Sequence, residues 1–148
     1  MFRLSRAAEY TIRGVLHLSN APHGATVDVE SVAKAQRIPV AYLAKLFQTL
    51  AKKGFVKSTR GPDGGFMLVR DPEDINLLEV IEAVEGPIFL NDCLIHAGQC
   101  RMDMVCPVHD VWREAQKRLL EYLRCSTFKG LATAARQKAQ KTAVSRES

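Results

Sequence analysis

The sequence predicts a mainly α-helical protein with one small β-hairpin, arranged as a winged helix-turn-helix followed by a long dimerisation helix. Three observations support this fold class. Two amphipathic helical segments are separated by a tight turn, an Asp-Gly turn joins two short apolar segments directly after them, and a long apolar stripe lies nearer the C-terminal end. A chain of 148 residues has room for one small domain and an oligomerisation segment.

The first three predicted elements are helices. Residues 5–20 carry apolar side chains at the three-and-four spacing of one buried face, and Ser5 is placed to cap their N-terminus. Asp28 caps a second, short helix. The third helix covers residues 40–53 and ends at Gly54, as helices often do. Because the last two helices are short, close in sequence and joined by a tight turn, they indicate a helix-turn-helix.

A β-hairpin is predicted directly after the third helix. Residues 55–60 and 66–69 are the two strands, and the turn between them contains Asp63-Gly64, a strong hairpin signal. A hairpin with basic flanks in this position is typical of a wing. Residues 1–75 are therefore expected to form a winged helix-turn-helix domain.

The rest of the chain divides into four segments. Residues 76–92 are predicted to be a linking helix, and residues 93–107 lack periodicity and are expected to be a loop. Residues 126–148 are expected to be a C-terminal tail that is at most weakly helical after Gly130 and has little to bury there. Residues 108–125 form the longest predicted helix. Its stripe, typical of a dimer-forming helix, contains Val108, Val111, Trp112, Ala115, Leu119, Tyr122 and Leu123.

Charge is distributed unevenly. Residues 1–70 contain eleven Lys or Arg and four Asp or Glu, residues 71–92 contain seven acids and no base, and residues 93–148 contain ten bases and five acids. A polyanion is attracted to the first segment and repelled by the second. The acidic segment alternatively offers a surface for a protein partner, although charged runs are often only solvated surface.

Exposed side chains of the third helix and the wing are the candidates for contact with double-stranded DNA. A helix in the major groove reads base edges with side chains of its N-terminal part, which here are Ala41, Tyr42, Lys45 and Gln48. Lysines nearer the hairpin are better placed to hold phosphates, and they are Lys52, Lys53 and Lys57. Arg60, at the base of the wing, is placed to enter a narrow minor groove.

Three of the four cysteines are clustered in the predicted loop. Six residues separate Cys93 from Cys100, and five separate Cys100 from Cys106. Two residues then separate Cys106 from His109. Thiolates are soft ligands that suit iron–sulfur clusters, copper(I) and zinc. Since structural zinc sites bring their ligands in pairs two to four residues apart, the wide gaps fit zinc poorly. A thiol switch, a zinc site and unligated cysteines remain alternatives.

Several short motifs accompany the cysteines. They are Arg3-Leu4-Ser5, Glu9-Tyr10, Tyr42-Leu43, Leu46-Phe47, Leu50 with Lys53-Gly54, Arg60-Gly61-Pro62, Gly64-Gly65-Phe66, Leu78-Glu79-Val80-Ile81 with Ala83-Val84, and Trp112. With them, residues 1–128 resemble the bacterial winged-helix regulators that include IscR, NsrR, RirA and the cluster-free CymR. The resemblance implies a homodimer joined through the long helix. It also implies an iron–sulfur cluster, 2Fe–2S or 4Fe–4S, bound by Cys93, Cys100, Cys106 and one non-cysteine ligand.

Two residues match the family's alternative fourth ligands. One arrangement uses a histidine three residues after the last cysteine, and His109 stands there. The other uses a carboxylate from the first helix of the partner subunit, and Glu9 stands there. A ligand local in the chain costs less ordering entropy, which favours His109 slightly. His96 is a weaker candidate, Cys125 matches no family ligand, and the first cysteine gap is one residue longer than is usual in the family.

The sequence therefore predicts a dimeric DNA-binding transcription regulator, a repressor or dual regulator. In this interpretation an iron–sulfur cluster controls DNA affinity in response to iron, redox state or nitric oxide. The alternative is the same regulator without the cluster. Because no nucleotide-binding loop or catalytic pair is recognisable, an enzyme is not expected. No apolar run has the length of a membrane span and no secretory signal is recognisable, so a cytoplasmic protein is expected.

Overall fold

The computed structural model describes residues 3–96, 98 and 100–147. In this part of the chain, six α-helices accompany one two-stranded antiparallel sheet: α1 (Arg6–Asn20), α2 (Val29–Gln36), α3 (Val40–Lys52), β1 (Val56–Thr59), β2 (Gly65–Leu68), α4 (Leu77–Glu85), α5 (Pro107–Cys125) and α6 (Phe128–Glu147). Short 3-10 turns lie at Pro72–Asp74 and Asp92–Leu94. The predicted class, mainly α with one small hairpin, is confirmed. None of the described helices has the length and apolar character that a membrane span requires.

Side-chain caps set the starts of α1 and α2. The Ala8 N–H donates to Ser5 Oγ at 3.1 Å, and the Ser31 N–H donates to Asp28 Oδ1 at 3.0 Å, as the sequence predicts. Gly14 allows α1 to approach α3 closely, because a β-carbon there would lie 2.7 Å from the Phe47 ring. The three helices thus form one tightly packed unit.

The wing is attached to the helix-turn-helix by backbone pairing. Its strands pair from Val56 opposite Leu68 to Thr59 opposite Gly65. In addition, the Val27 N–H donates to the Phe66 carbonyl at 2.9 Å, and the Phe66 N–H donates to the Val27 carbonyl at 2.8 Å. Gly65 is required here, since a β-carbon would lie 2.2 Å from the Val27 carbonyl oxygen. The position of the hairpin is therefore fixed by the loop before α2.

Helix α4 lies between two apolar cores. The larger core unites α1, α2, α3, the wing and α6 around Phe47, and Val80 of α4 belongs to it. The smaller core contains Leu78 and Ile81 of α4, with Leu119, Leu120 and Leu123 of α5 packed against them. A capping box begins α4, because the Glu79 N–H donates to Asn76 Oδ1 while the Asn76 N–H donates to Glu79 Oε2. Helix α4 therefore connects α5 to the core of the winged domain by direct packing.

The C-terminal segment differs from the sequence-based expectation. The sequence predicts a tail that is at most weakly helical after Gly130 and has little to bury there, whereas a continuous helix, α6, occupies Phe128–Glu147. Phe128 is completely buried in the larger core and Ala132 is 2% exposed. The Phe128 N–H also donates to the Ile75 carbonyl at 2.9 Å. One aromatic anchor and one backbone pair, rather than a long apolar stripe, hold this helix against α1.

Candidate functional site

The DNA-contact candidates share one exposed surface. The structure leaves all eight of them exposed: Ala41, Tyr42, Lys45, Gln48, Lys52, Lys53, Lys57 and Arg60. The opposite side of α3 is buried through Leu43, Leu46, Phe47 and Leu50. The core therefore holds one side of α3 rigidly, and the side predicted to contact DNA bases faces solvent.

Charge and backbone polarity on this surface both favour a polyanion. Residues 37–62, which include α3 and the first strand of the wing, contain six Lys or Arg and no Asp or Glu. Pro39, the residue before α3, makes no side-chain cap hydrogen bond. The N–H groups of the first turn of α3 are consequently left without a side-chain acceptor, and such groups bind phosphate readily.

Two residues of α1 extend this surface and were missed by the sequence analysis. The Tyr10 ring packs edge-on against the Tyr42 ring, with centroids 5.7 Å apart. The Arg13 guanidinium lies 5.6 Å from the Tyr10 ring centroid. Arg13 therefore adds a cation beside the reading helix. Only the helical spacing of Tyr10 and Arg13 hinted at this, since their proximity to α3 depends on the tertiary fold.

The cysteine loop lies between α4 and α5. Cys93 belongs to the 3-10 turn Asp92–Leu94, and Cys106 directly precedes α5. Both are half-buried, whereas Cys100 is exposed. Cys93 and Cys100 line the same open cavity, whose wall also includes His96. No disulfide involves any of these thiols.

Electrostatics connects the three thiols. Partial burial raises the pKa of the Cys93 thiol, and the negative charges of Asp103, Cys100 and Cys106 raise this pKa further. The Cys93 thiol is therefore influenced through space by the other two sulfur atoms and by one carboxylate. Among residues 3–96, 98 and 100–147, however, no three His, Cys, Asp or Glu side chains are already grouped closely enough to bind a metal ion.

A buried histidine–aspartate pair lies at the end of this loop. His109 Nδ1 is 3.6 Å from Asp103 Oδ1, and their side chains are 14% and 11% exposed. Neither atom has a hydrogen-bond partner in the described part of the chain. Asp103 Oδ2 accepts a hydrogen bond from the Gly98 N–H at 3.3 Å. The sequence analysis missed Asp103, although it is the only acid of residues 93–107.

The other candidate ligands lie differently. Glu9 is exposed in the first turn of α1, where its carboxylate makes no hydrogen bond or ion pair with described residues. His96 is exposed, and Cys125 is exposed at the far end of α5.

The donor set of the loop suits an iron–sulfur cluster. Three thiols of soft character come from a single loop, and the His109 imidazole lies in the first turn of α5, directly after that loop. Binding would still require the loop to draw the thiols together, because they are not grouped in advance.

Comparison with known proteins agrees with the fold. Residues 4–134 match the family model described as "Rrf2: Iron-dependent Transcriptional regulator". The chain is 32% identical over 126 residues to the HTH-type transcriptional regulator IscR of Escherichia coli O1:K1 / APEC, which covers 85% of this chain and 77% of that protein.

Two solved structures are similar to the whole fold. CymR (YrzC), the global cysteine regulator of B. subtilis, is similar with a TM-score of 0.77 and 25% identity, over 90% of this chain and 98% of CymR. IscR of T. potens is similar with a TM-score of 0.72 and 26% identity, over 90% of this chain and 88% of that chain. The family model covers most of the sequence, and these relatives are transcription regulators rather than enzymes. The chain therefore belongs to the Rrf2 family of winged-helix transcriptional regulators.

Proposed function

We propose that this Rrf2-family regulator is a homodimer that binds double-stranded DNA, and that an iron–sulfur cluster in its cysteine loop controls DNA affinity. The observation that carries the proposal is the place of this loop in the fold. It joins α4, which packs into the core of the winged domain, to α5, which has an exposed apolar side. A ligand that reshapes the loop therefore acts on both the DNA-binding unit and the dimer helix.

DNA binding rests on the surface formed by α3 and the wing. Lys45 and Gln48 are exposed near the middle of α3, where side chains reach base edges. Lys52, Lys53 and Lys57 follow toward the hairpin and would neutralise phosphates, and Arg60 would enter the minor groove beside the wing. The absence of acids from residues 37–62 removes the repulsion that would oppose such contact.

Dimerisation rests on the exposed apolar side chains of α5. No residue of this 19-residue helix is buried within its own chain. Leu119 and Leu123 of the predicted stripe pack against α4, whereas Val111 remains 60% exposed and Tyr122 75% exposed. Val108 and Trp112 are exposed on the same stripe. Because a contiguous apolar stripe of this kind is costly in water, a second copy of α5 is the partner we assign to it.

The cluster would be held by Cys93, Cys100 and Cys106, with His109 of the same chain or Glu9 of the partner as the fourth ligand. When bound, a cluster supplies a group that oxidation, iron shortage or nitric oxide alters or removes. The protein's own contribution is the response of the loop. Drawing three thiols together shortens the path from α4 to α5 and changes the angle between these helices.

A change in that angle has a direct consequence for DNA. The two recognition helices of a dimer must match half-sites separated by about one helical turn, roughly 34 Å. A small rotation of each winged domain about α4 alters this separation. The ligand's effect on DNA affinity is then limited by its differential affinity for the two dimer geometries.

Anaerobic purification tests the cofactor part of the proposal. Wild-type protein is expected to be coloured, with iron and acid-labile sulfide present in equal amounts. Cys106→Ala is expected to lose both, whereas Cys125→Ala, which removes a thiol outside the loop, is expected to keep them. Colourless wild-type protein after anaerobic reconstitution would exclude the cluster.

A thiol switch is the second candidate function. All four cysteines are free and the described residues hold no grouped metal ligands, which also suits reversible thiol chemistry. In that case iron and sulfide are absent, and a mild oxidant changes DNA affinity until a reductant reverses the effect. Cys125→Ala again serves as the control.

A further inference from the structure

The histidine–aspartate pair at the end of the cysteine loop has a consequence that the family resemblance does not contain. We propose that Asp103 is a positioning residue for His109, holding the imidazole with its proton on Nδ1, so that Nε2 is the nitrogen available as fourth ligand. This inference rests on the proposed cluster-binding function, and it selects His109 over Glu9.

Asp103 is held in place by the turns of the loop. Its own N–H donates to the Cys100 carbonyl at 3.2 Å. The Cys106 N–H donates to the Met102 carbonyl at 2.7 Å, which closes the next turn. The carboxylate therefore lies between the second and third cysteines for reasons that involve no metal.

His109 is held by α5. It is the third residue of this helix, and its N–H donates to the Cys106 carbonyl at 3.2 Å. The two side chains thus approach from different elements, Asp103 from the loop and His109 from the helix. Their separation of 3.6 Å is only a few tenths of an ångström longer than a hydrogen bond between nitrogen and oxygen.

Burial makes the proton position selective. Within the described part of the chain, neither His109 Nδ1 nor Asp103 Oδ1 makes a hydrogen bond, and each faces the other. An ionised carboxylate only accepts hydrogen bonds, so its contact with Nδ1 is favourable only when Nδ1 carries the proton. In a neutral imidazole the lone pair then belongs to Nε2. Carboxylates that orient metal-binding histidines act in this way in many metal sites.

Both oxygens of Asp103 are directed at protein groups. Oδ2 accepts from the Gly98 N–H at 3.3 Å, within the segment that separates Cys93 from Cys100. Oδ1 faces His109. This division assigns Asp103 to orienting the loop and the imidazole rather than to binding iron directly. Through Gly98 and His109, Asp103 also connects the segment between Cys93 and Cys100 to the first turn of α5.

The first test uses cluster-free protein, so its outcome is independent of iron binding. Long-range ¹H–¹⁵N NMR spectra at about pH 8, where an exposed imidazole is neutral, report which ring nitrogen carries the proton. Loss of a signal in His109→Gln assigns the resonance. We expect His109 as the Nδ1–H form in wild type. Finding the Nε2–H form there would overturn the inference without the need for any further variant.

Asp103→Asn tests the role of the carboxylate at constant size. Its single carbonyl oxygen cannot accept from both Gly98 and His109, so the tautomer is expected to shift toward Nε2–H. Asp110→Asn is the matched control, because Asp110 is exposed one residue beyond His109 and pairs with Arg113 at 2.8 Å. An Asp103→Asn spectrum identical to that of wild type would contradict the proposal.

The second test uses reconstituted protein. The reduced wild-type cluster is expected to show hyperfine coupling to an imidazole nitrogen, and Asp103→Asn is expected to weaken that coupling, shift the reduction potential and lose iron to a chelator about tenfold faster. Asp110→Asn should behave as wild type. Unchanged coupling, potential and chelation rate in Asp103→Asn would overturn the inference. Failure of wild type to bind any cluster would overturn the proposed function, and the NMR result would still decide the proton position.

Discussion

The exposed DNA-contact side of α3 and the cysteine loop differ in how completely the fold of one chain arranges them for function. Four buried side chains fix α3, and every predicted DNA-contact residue of α3 and the wing is already exposed. The cysteine loop has no comparable support. Its described residues are half-buried or exposed, and its thiols are not grouped into a metal site in the described part of the chain.

One chain forms the DNA-binding unit by itself. The cysteine loop and the dimer, in contrast, need a bound group and a second subunit. Backbone pairing of the wing with Val27 and the close contact of Gly14 with Phe47 make the DNA-binding unit rigid. A loop with few apolar contacts is the part whose shape a ligand can change at small cost. A regulator of this class needs a rigid DNA-binding unit and a sensing loop that can change shape.

Truncating a core side chain that supports α3 should have the largest effect, and that effect is on the free energy of unfolding. Phe47 is completely buried and contacts both Gly14 and the Phe66 ring, whose centroid is 5.1 Å away. Phe47→Ala is expected to lower the free energy of unfolding by about 3–5 kcal/mol, because it leaves a cavity in the core. Urea denaturation measures this change. Phe89→Ala, at an exposed aromatic, is the control, and equal losses in both variants would contradict the account.

A charge on α5 should affect assembly but not folding. Val111 is 60% exposed, so Val111→Asp is tolerated by the single chain, yet it would bury a carboxylate in the proposed dimer interface. We expect the dimer dissociation constant to rise by about 30-fold or more, equivalent to about 2 kcal/mol. Sedimentation equilibrium measures it. Unchanged association would place the interface elsewhere.

A single cation on the wing should change DNA affinity by less. Arg60→Ala is expected to weaken operator binding by about 1 kcal/mol without changing the unfolding midpoint, because Arg60 is exposed. Lys138→Ala removes the same charge from the exposed surface of α6. If the two variants lose equal affinity in titrations at several salt concentrations, the effect is general charge rather than contact by the wing.

The smallest effect concerns the cap of α2. Hydrogen bonds from the Ser31 side chain and N–H lower the pKa of Asp28 below its usual 3.8. The ionised cap therefore stabilises the fold above the unfolded pKa, and this stabilisation is lost as pH falls through the lower folded value. Asp28→Ala should be slightly less stable than wild type at pH 7, and the difference should shrink below pH 4. A difference that grows in acid would contradict this sign.

Much of the winged helix-turn-helix was predictable because caps and turns are set by residues that are close together in the sequence. Ser5 and Asp28 cap the helices where their side chains predict, and the Asp63-Gly64 turn forms the wing. The packing of α6 was not predictable in the same way. A segment rich in Ala, Lys and Gln has no strong stripe, and the burial of Phe128 depends on contacts with residues far away in the sequence.

The cysteine loop was predictable only as a set of residue types. The spacing of Cys93, Cys100 and Cys106 indicated soft ligands for a metal group, but spacing alone does not fix distances in an aperiodic loop. Asp103 was missed because nothing in a one-dimensional pattern connects it to His109. That connection exists only once α5 turns the histidine back toward the loop.

The most direct test of the central claim compares DNA affinity of one anaerobic preparation before and after cluster removal by a chelator. Operator binding measured by fluorescence anisotropy should differ by about tenfold or more between the loaded and empty forms. The difference should disappear in Cys106→Ala and persist in Cys125→Ala. Equal affinity of loaded and empty wild-type protein would contradict the account, since the loop would then not control the reading surface.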